Sequence, residues 1–147
     1  MKRETIKAGQ IIIDFLLEAA DTNGSAAMFE FTVPVGAKVP ISHYHEHYDE
    51  TIYGLEGTLT FTVDGEAIDI QPGETCFIPR GAVHGFDNLK QVDAKGLAVI
   101  TPALLSSIFF KEVAEIVNAG GLPDLQRLKL VMAKHGLVPV VPKMQHA

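Results

Sequence analysis

His43-Tyr44-His45-Glu46-His47-Tyr48-Asp49-Glu50 puts three of the chain's six histidines into five residues. On a β-strand, residues i and i+2 point to the same face, about 6.5–7 Å apart along the chain. His43 and His45 can therefore aim their imidazoles at one point, a spacing that suits a metal ion. Glu50 has the opposite parity, and an unbroken strand would turn it away. For Glu50 to join the two histidines, the chain must bend or bulge between Glu46 and Asp49. His47 shares the parity of the other two, but the same bend turns it outward, so it is read as a non-ligand. The competing reading is an exposed polar loop of solvated histidines. The combination of H-x-H, a tight turn and a carboxylate favours a site.

Downstream, Thr58-Leu-Thr-Phe-Thr-Val63 alternates strictly, with Leu59, Phe61 and Val63 on one face and threonines on the other, as in a half-buried strand. Asp64-Gly65 and then Ala67-Ile-Asp-Ile70 predict a hairpin closed by a type I′ turn. Further strands are expected over 10–18, 26–33, 50–55, 75–78 and 96–100. Between them stand the turn formers Asn23-Gly24, Pro34-Val35-Gly36, Gln71-Pro72-Gly73 and Pro79-Arg80-Gly81. Many short strands at even spacing point to an all-β sandwich or barrel.

After Pro102 the period changes. Phe109, Val113, Ile116 and Val117 recur at helical spacing, and Gly120-Gly121 end that helix. A second helix is expected from near Asp124, with Leu125, Leu128 and Met132 on one side, as far as Gly136. Pro139 and Pro142 then lead out as a tail. The expected division is a barrel over 1–103 and a helical extension over 104–147 packed on it, one domain overall.

A chain of 147 residues can bury a full core without disulfides. Its formal net charge of -6, with no cluster of Lys and Arg, argues against nucleic acid. The lone cysteine, Cys76, cannot form an internal disulfide, which fits a reducing compartment. On an apolar strand with no activating cation evident, it reads as a small buried side chain. The apolar stretch Ile11 to Leu17 contains Asp14 and is too short to span a bilayer, so no membrane association and a cytoplasmic location are expected. As an uncovered apolar edge, Gln10–Leu17 would supply a strand that joins two copies in a homodimer.

Gly36, His43, His45, Glu50 and Gly57 resemble the first cupin motif, with one residue more than usual between Gly36 and His43. Gly73, Pro79, Gly81, His84 and Asn88 stand at every position of the second motif. The resemblance covers roughly Ser25 to Thr101. It implies an all-β cupin double-stranded β-helix, a jelly-roll barrel, with two C-terminal α-helices outside it. It also implies one divalent transition metal per chain, held by His43, His45, Glu50 and His84. Three imidazoles and a carboxylate suit Fe, Ni, Mn, Cu, Co or Zn rather than Ca or Mg. Four protein ligands leave room for water, substrate or dioxygen, whereas a structural zinc site would more typically be closed by cysteines.

The compact barrel, the ligand set and the C-terminal helices look like the quercetin dioxygenase-like cupins. That resemblance implies an oxidoreductase acting with dioxygen on a flavonol-like or enolisable aromatic or diketone small molecule. Glu50 would be a ligand and also the catalytic base. Two alternatives share the same ligands: a non-oxidative isomerase, lyase or decarboxylase, and a cupin that binds a small molecule without turnover. Tyr44, Tyr48, Tyr53 and Phe86 are read chiefly as core or rim residues, and Arg80 as a solvated turn residue.

Overall fold

The computed structural model describes residues 4–37 and 41–140. Its strands are β1 (Glu4–Ala8), β2 (Ile11–Leu17), β3 (Ala27–Val33), β4 (His43–His45), β5 (Asp49–Glu56), β6 (Leu59–Val63), β7 (Glu66–Ile70), β8 (Thr75–Ile78), β9 (His84–Asp87), β10 (Ala94–Thr101) and β11 (Leu137–Pro139). Two helices, α1 (Ser107–Val117) and α2 (Leu125–Lys134), lie between β10 and β11. Among the described residues the strands form two antiparallel sheets, ordered β1-β2-β3-β10-β5-β8 and β11-β4-β9-β6-β7. This is the all-β arrangement that the strand spacing and the cupin motifs predict.

Alternation decides which faces meet. In β2 and β3 every second residue is buried, including Ile11, Ile13 and Phe15 on one strand and Phe29 and Phe31 on the next. Phe31 reaches across to the other sheet, 6.3 Å from Phe61 of β6 and 5.4 Å from Phe86 of β9 between ring centroids. The predicted hairpin joins β6 and β7, with Asp64 at φ 48° and Gly65 at φ 85° as a type I′ turn requires. Gly57 lies just before β6 at φ 62°. A side chain there would run into the Asp93 carbonyl oxygen and come within 3.0 Å of the Ala94 Cα, so the last residue of the first motif must be glycine.

Three expectations are corrected. The apolar stretch Ile11–Leu17 is no free edge, because β1 pairs with it on one side and β3 on the other. The sequence reading missed β1 because its five residues include one buried side chain, Ile6. Pro139 does not begin a tail. Leu137, Val138 and Pro139 pair with His45, Tyr44 and His43, which makes β11 a neighbour of the histidine strand. Pro142 lies outside the described residues.

Both helices are fastened to the sheets. Glu18, just after β2, accepts hydrogen bonds from the Ser107 backbone N–H and hydroxyl, placing negative charge at the N-terminus of α1. Asn118, which caps the other end, accepts from the Gly9 N–H and donates to the Lys7 carbonyl. Glu112 of α1 holds α2 by pairing with Lys134 at 3.0 Å and His135 at 3.1 Å. The Lys134 ammonium, then His135, keep the Glu112 carboxyl below its ordinary range. A carboxylate whose folded pKa is depressed adds stability above its unfolded pKa and loses it as acid titrates it. Glu112→Gln is therefore expected to lower the melting temperature at pH 7, with the difference from wild type closing below about pH 4. An equal difference at both pH values in thermal melts would show that this pair does not join the helices.

Candidate metal centre

β4 carries His43 and His45 on one face, two residues apart. β9 places His84 directly opposite His43 in the antiparallel register. The three imidazole centroids lie 4.7 to 5.1 Å from one another. One ring nitrogen from each falls within a group no more than 4.8 Å across. His45 and His84 are buried and His43 is half-buried.

The required bend occurs where the parity argument puts it. β4 ends at His45 and β5 begins at Asp49, so Glu50 starts a strand of the opposite sheet and faces the histidines. Its Oε2 lies 3.4 Å from His84 Nε2, and the side chain is nearly buried. Two backbone bonds flank the bend: Gly81 N–H donates to the His45 carbonyl at 2.8 Å, and Glu46 N–H to the Gly136 carbonyl at 3.3 Å. His47 is thrown outward, its side chain 69% exposed and 3.4 Å from Glu46. Arg80, expected to be merely solvated, grips Asp49 through Nε at 3.2 Å and Nη2 at 3.1 Å, and its own N–H donates to the same carboxylate. That pair anchors the start of β5 one residue before Glu50.

Backbone carbonyls orient two of the rings. His43 Nδ1 lies 2.9 Å from the Ile41 oxygen, and His84 Nδ1 lies 2.9 Å from the Ala82 oxygen. A carbonyl oxygen only accepts, so each Nδ1 carries a proton and each Nε2 is left to face the cluster. His45 is held by stacking on the buried ring of Tyr48, at 4.4 Å and 22°. The Tyr48 hydroxyl in turn donates to the His135 carbonyl at 3.2 Å. Tyr48 is thus a core residue behind the site, whereas Tyr53 is exposed on the outer face of β5. Asn88 closes its own loop, donating to the Val33 and Val92 carbonyls.

Electrostatics favours a cation at the centre of the cluster. Burial, aided by its neighbour His84, pushes His43 down to about 4. Burial, aided by His43 and His84, outweighs the Glu50 charge at His45 and takes it to about 3. Both are neutral donors at physiological pH. Burial works against the charged forms of His84 and Glu50 as well, but their mutual contact prevails, raising His84 and lowering Glu50. Even so, His84 Nε2 has no hydrogen-bond partner among the described residues, because the 3.4 Å approach of Glu50 is not aligned as a hydrogen bond. A buried nitrogen without a partner is costly. A metal ion in this position would satisfy Nε2 and the carboxylate together, so the donor set fits a divalent transition metal. Cys76, buried on β8 with its thiol pushed up by burial and then by the Glu50 charge, is no thiolate ligand.

Comparison with known proteins agrees with this geometry. A family model described as "Cupin domain" matches residues 29–100. Quercetin 2,3-dioxygenase of Bacillus subtilis is 33% identical over 89 residues, which is 60% of this chain and 26% of that enzyme. A tetracenomycin polyketide synthase protein of Streptomyces glaucescens is 35% identical over 60 residues, 41% of this chain and 40% of that protein. This chain therefore spans well under two thirds of either relative. Among solved structures, a predicted oxalate decarboxylase of Thermotoga maritima superposes with a TM-score of 0.61 at 25% identity, covering 69% of this chain and 93% of that one.

His84→Ala and Glu50→Ala proteins are expected to lose most of their metal by elemental analysis, since the ligands left cannot close the site. His47→Ala is expected to keep it. Full metal stoichiometry in His84→Ala would refute the ligand assignment. With sheet topology, convergent histidines and matched motifs in agreement, the chain belongs to the cupin superfamily.

Proposed function

We propose that the chain is a metal-dependent dioxygenase-type enzyme acting on an enolisable aromatic or diketone-like small molecule of the flavonol kind. One observation carries this reading: His43, His45, His84 and Glu50 all line a single cavity of about 510 Å³ whose remaining wall is overwhelmingly apolar. A volume in the roughly 300–1,000 Å³ range suits a small organic molecule. The likeness to a quercetin dioxygenase supports the reaction class.

In this reading His43, His45, Glu50 and His84 hold one divalent ion. When bound, that ion supplies Lewis acidity toward a chelating oxygen and, if redox-active, a route for electrons to dioxygen. The protein's own contribution is proton handling and exclusion of water. Glu50 is held anionic, largely by its His84 contact, and its Oε2 faces the cavity, placed to take the proton from the substrate's enol or phenol hydroxyl. His43 and His45, kept neutral by burial, do not compete for that proton. Phe61 and Phe86 line the chamber beside them and strengthen every charge interaction inside by excluding water.

A homodimer is proposed as well, on a different surface from Ile11–Leu17. β8 is the outer strand of its sheet and carries Phe77 at 59% exposure, with Tyr53 on the same outer face of β5. Phe77→Lys is expected to give a monomer in sedimentation where wild type gives a dimer. A monomeric wild type would end this proposal.

The reaction itself is tested by loading the protein separately with iron, nickel, manganese and copper and following oxygen uptake on a flavonol and diketone panel. Uptake with at least one metal, falling by about 10²–10⁴-fold in Glu50→Gln, is the expected result. Stoichiometric metal without uptake on any member of the panel would exclude it.

A further inference from the structure

The cavity continues well past the candidate ligands, and the two C-terminal helices build that part of it. Phe109, Phe110, Val113 and Val117 face inward from α1, and Leu128 and Met132 from α2. These residues lie outside the segment matched by the family model, 29–100. Phe110 packs against Phe29 at 5.0 Å and Phe15 at 5.7 Å, joining the helical wall to the aromatic face of β2 and β3. Among the described residues the lining contains no Lys, Arg or Asp. Beyond the histidines and Glu50, its one polar side chain is Gln10. Gln10 is exposed, as are its fellow lining residues Gly9, Pro123 and Leu125, which places the mouth between the β1–β2 turn and the α1–α2 connection.

We infer that the ligand is an elongated molecule with one oxygen-bearing end and an apolar alkyl or aryl remainder, and that α1 and α2 select it. The inference rests on the reading that the oxygen-bearing end sits at the metal centre. A carboxylate or phosphate resting against this wall, away from the metal centre, would lose its water and meet no counter-charge. Hydroxyls spread over a second ring would likewise lie against Phe110, Val113 and Met132, which offer no hydrogen bond, at a cost for each unpaired group. Polyhydroxylated rings, dicarboxylates and sugar phosphates are therefore rejected, while each buried methylene tightens binding about fourfold. The wall is set in advance of binding, since Glu18, Asn118 and the Glu112 pairs fasten α1 at both ends and to α2.

The test uses the full chain, as purified and after chelation, with the neutral dye N-phenyl-1-naphthylamine, whose fluorescence rises in apolar surroundings. The dye is expected to bind once per chain and to be displaced by 1-alkanols from butanol to decanol, about fourfold more tightly per methylene until the chamber is full. In the chelated protein decanedioate must carry a carboxylate past the apolar wall to a centre without its cation, and is expected to displace the dye at least about 100-fold more weakly than decanol. Val113→Trp and Met132→Trp, which fill the chamber, should weaken decanol roughly tenfold or more with metal content unchanged, while Val113→Ile should cost less. Thermal melts confirm that each variant is folded, and either Trp variant suffices. Affinity indifferent to chain length, equal displacement by decanedioate, or no change in a folded Trp variant would overturn the inference. Chelation of the wild-type chain separates the two readings: it removes the metal, and the roughly fourfold gain per methylene should persist, because the alkanol tail is held by α1 and α2. Chain-length dependence without oxygen uptake would defeat the proposed reaction and leave this inference standing.

Discussion

A buried imidazole nitrogen that lacks a hydrogen-bond partner among the described residues governs this molecule. His84 Nε2 is turned inward because its other nitrogen is committed to the Ala82 carbonyl, and it shares a small volume with two more imidazoles. Burial strips His43 and His45 of their affinity for protons, and the same burial makes a lone Nε2 expensive. The architecture around it supplies the compensation. His43 and His84 come from neighbouring strands of one sheet, and Glu50 comes from the other. The cluster can form only where the two sheets face each other, so the condition for a site and the condition for the fold coincide.

Support behind the cluster is carried by residues that no motif contains. Tyr48 stacks on His45 and hydrogen-bonds to the C-terminal cap of α2, whose His135 ring pairs with Glu112 of α1. Arg80 fixes Asp49 and hence the first turn of β5 into the site. Rings and carboxylate are thereby kept close to one geometry, which is what metal affinity requires of surrounding groups.

Period-2 alternation was strong enough to reveal β2, β3 and β6 from sequence, because each has a full complement of large apolar residues on one face. The Asp64-Gly65 turn and the bend before Glu50 were legible for a similar reason: each follows from local stereochemistry, positive φ in one case and side-chain parity in the other. β1 and β11 escaped because their existence depends on partners. Glu4–Ala8 has little to bury until β2 lies beside it, and a strand containing Pro139 looks like a chain exit until β4 offers it an edge. Arg80 and Tyr48 were unreadable in detail for the same reason, since their partners, Asp49 and the His135 carbonyl, are set by tertiary structure. The site's identity was written in spacing; its buttressing was not.

β11 has one more consequence, in the order in which the protein comes into being. The strand that holds His43 and His45 is flanked on one side by residues 137–139, which leave the ribosome almost a hundred positions after those histidines. A nascent chain can therefore complete its sheets around β10 long before the histidine strand acquires its outer neighbour. All four candidate ligands precede β10 in the chain, so until β11 arrives the strand that bears two of them has one edge uncovered.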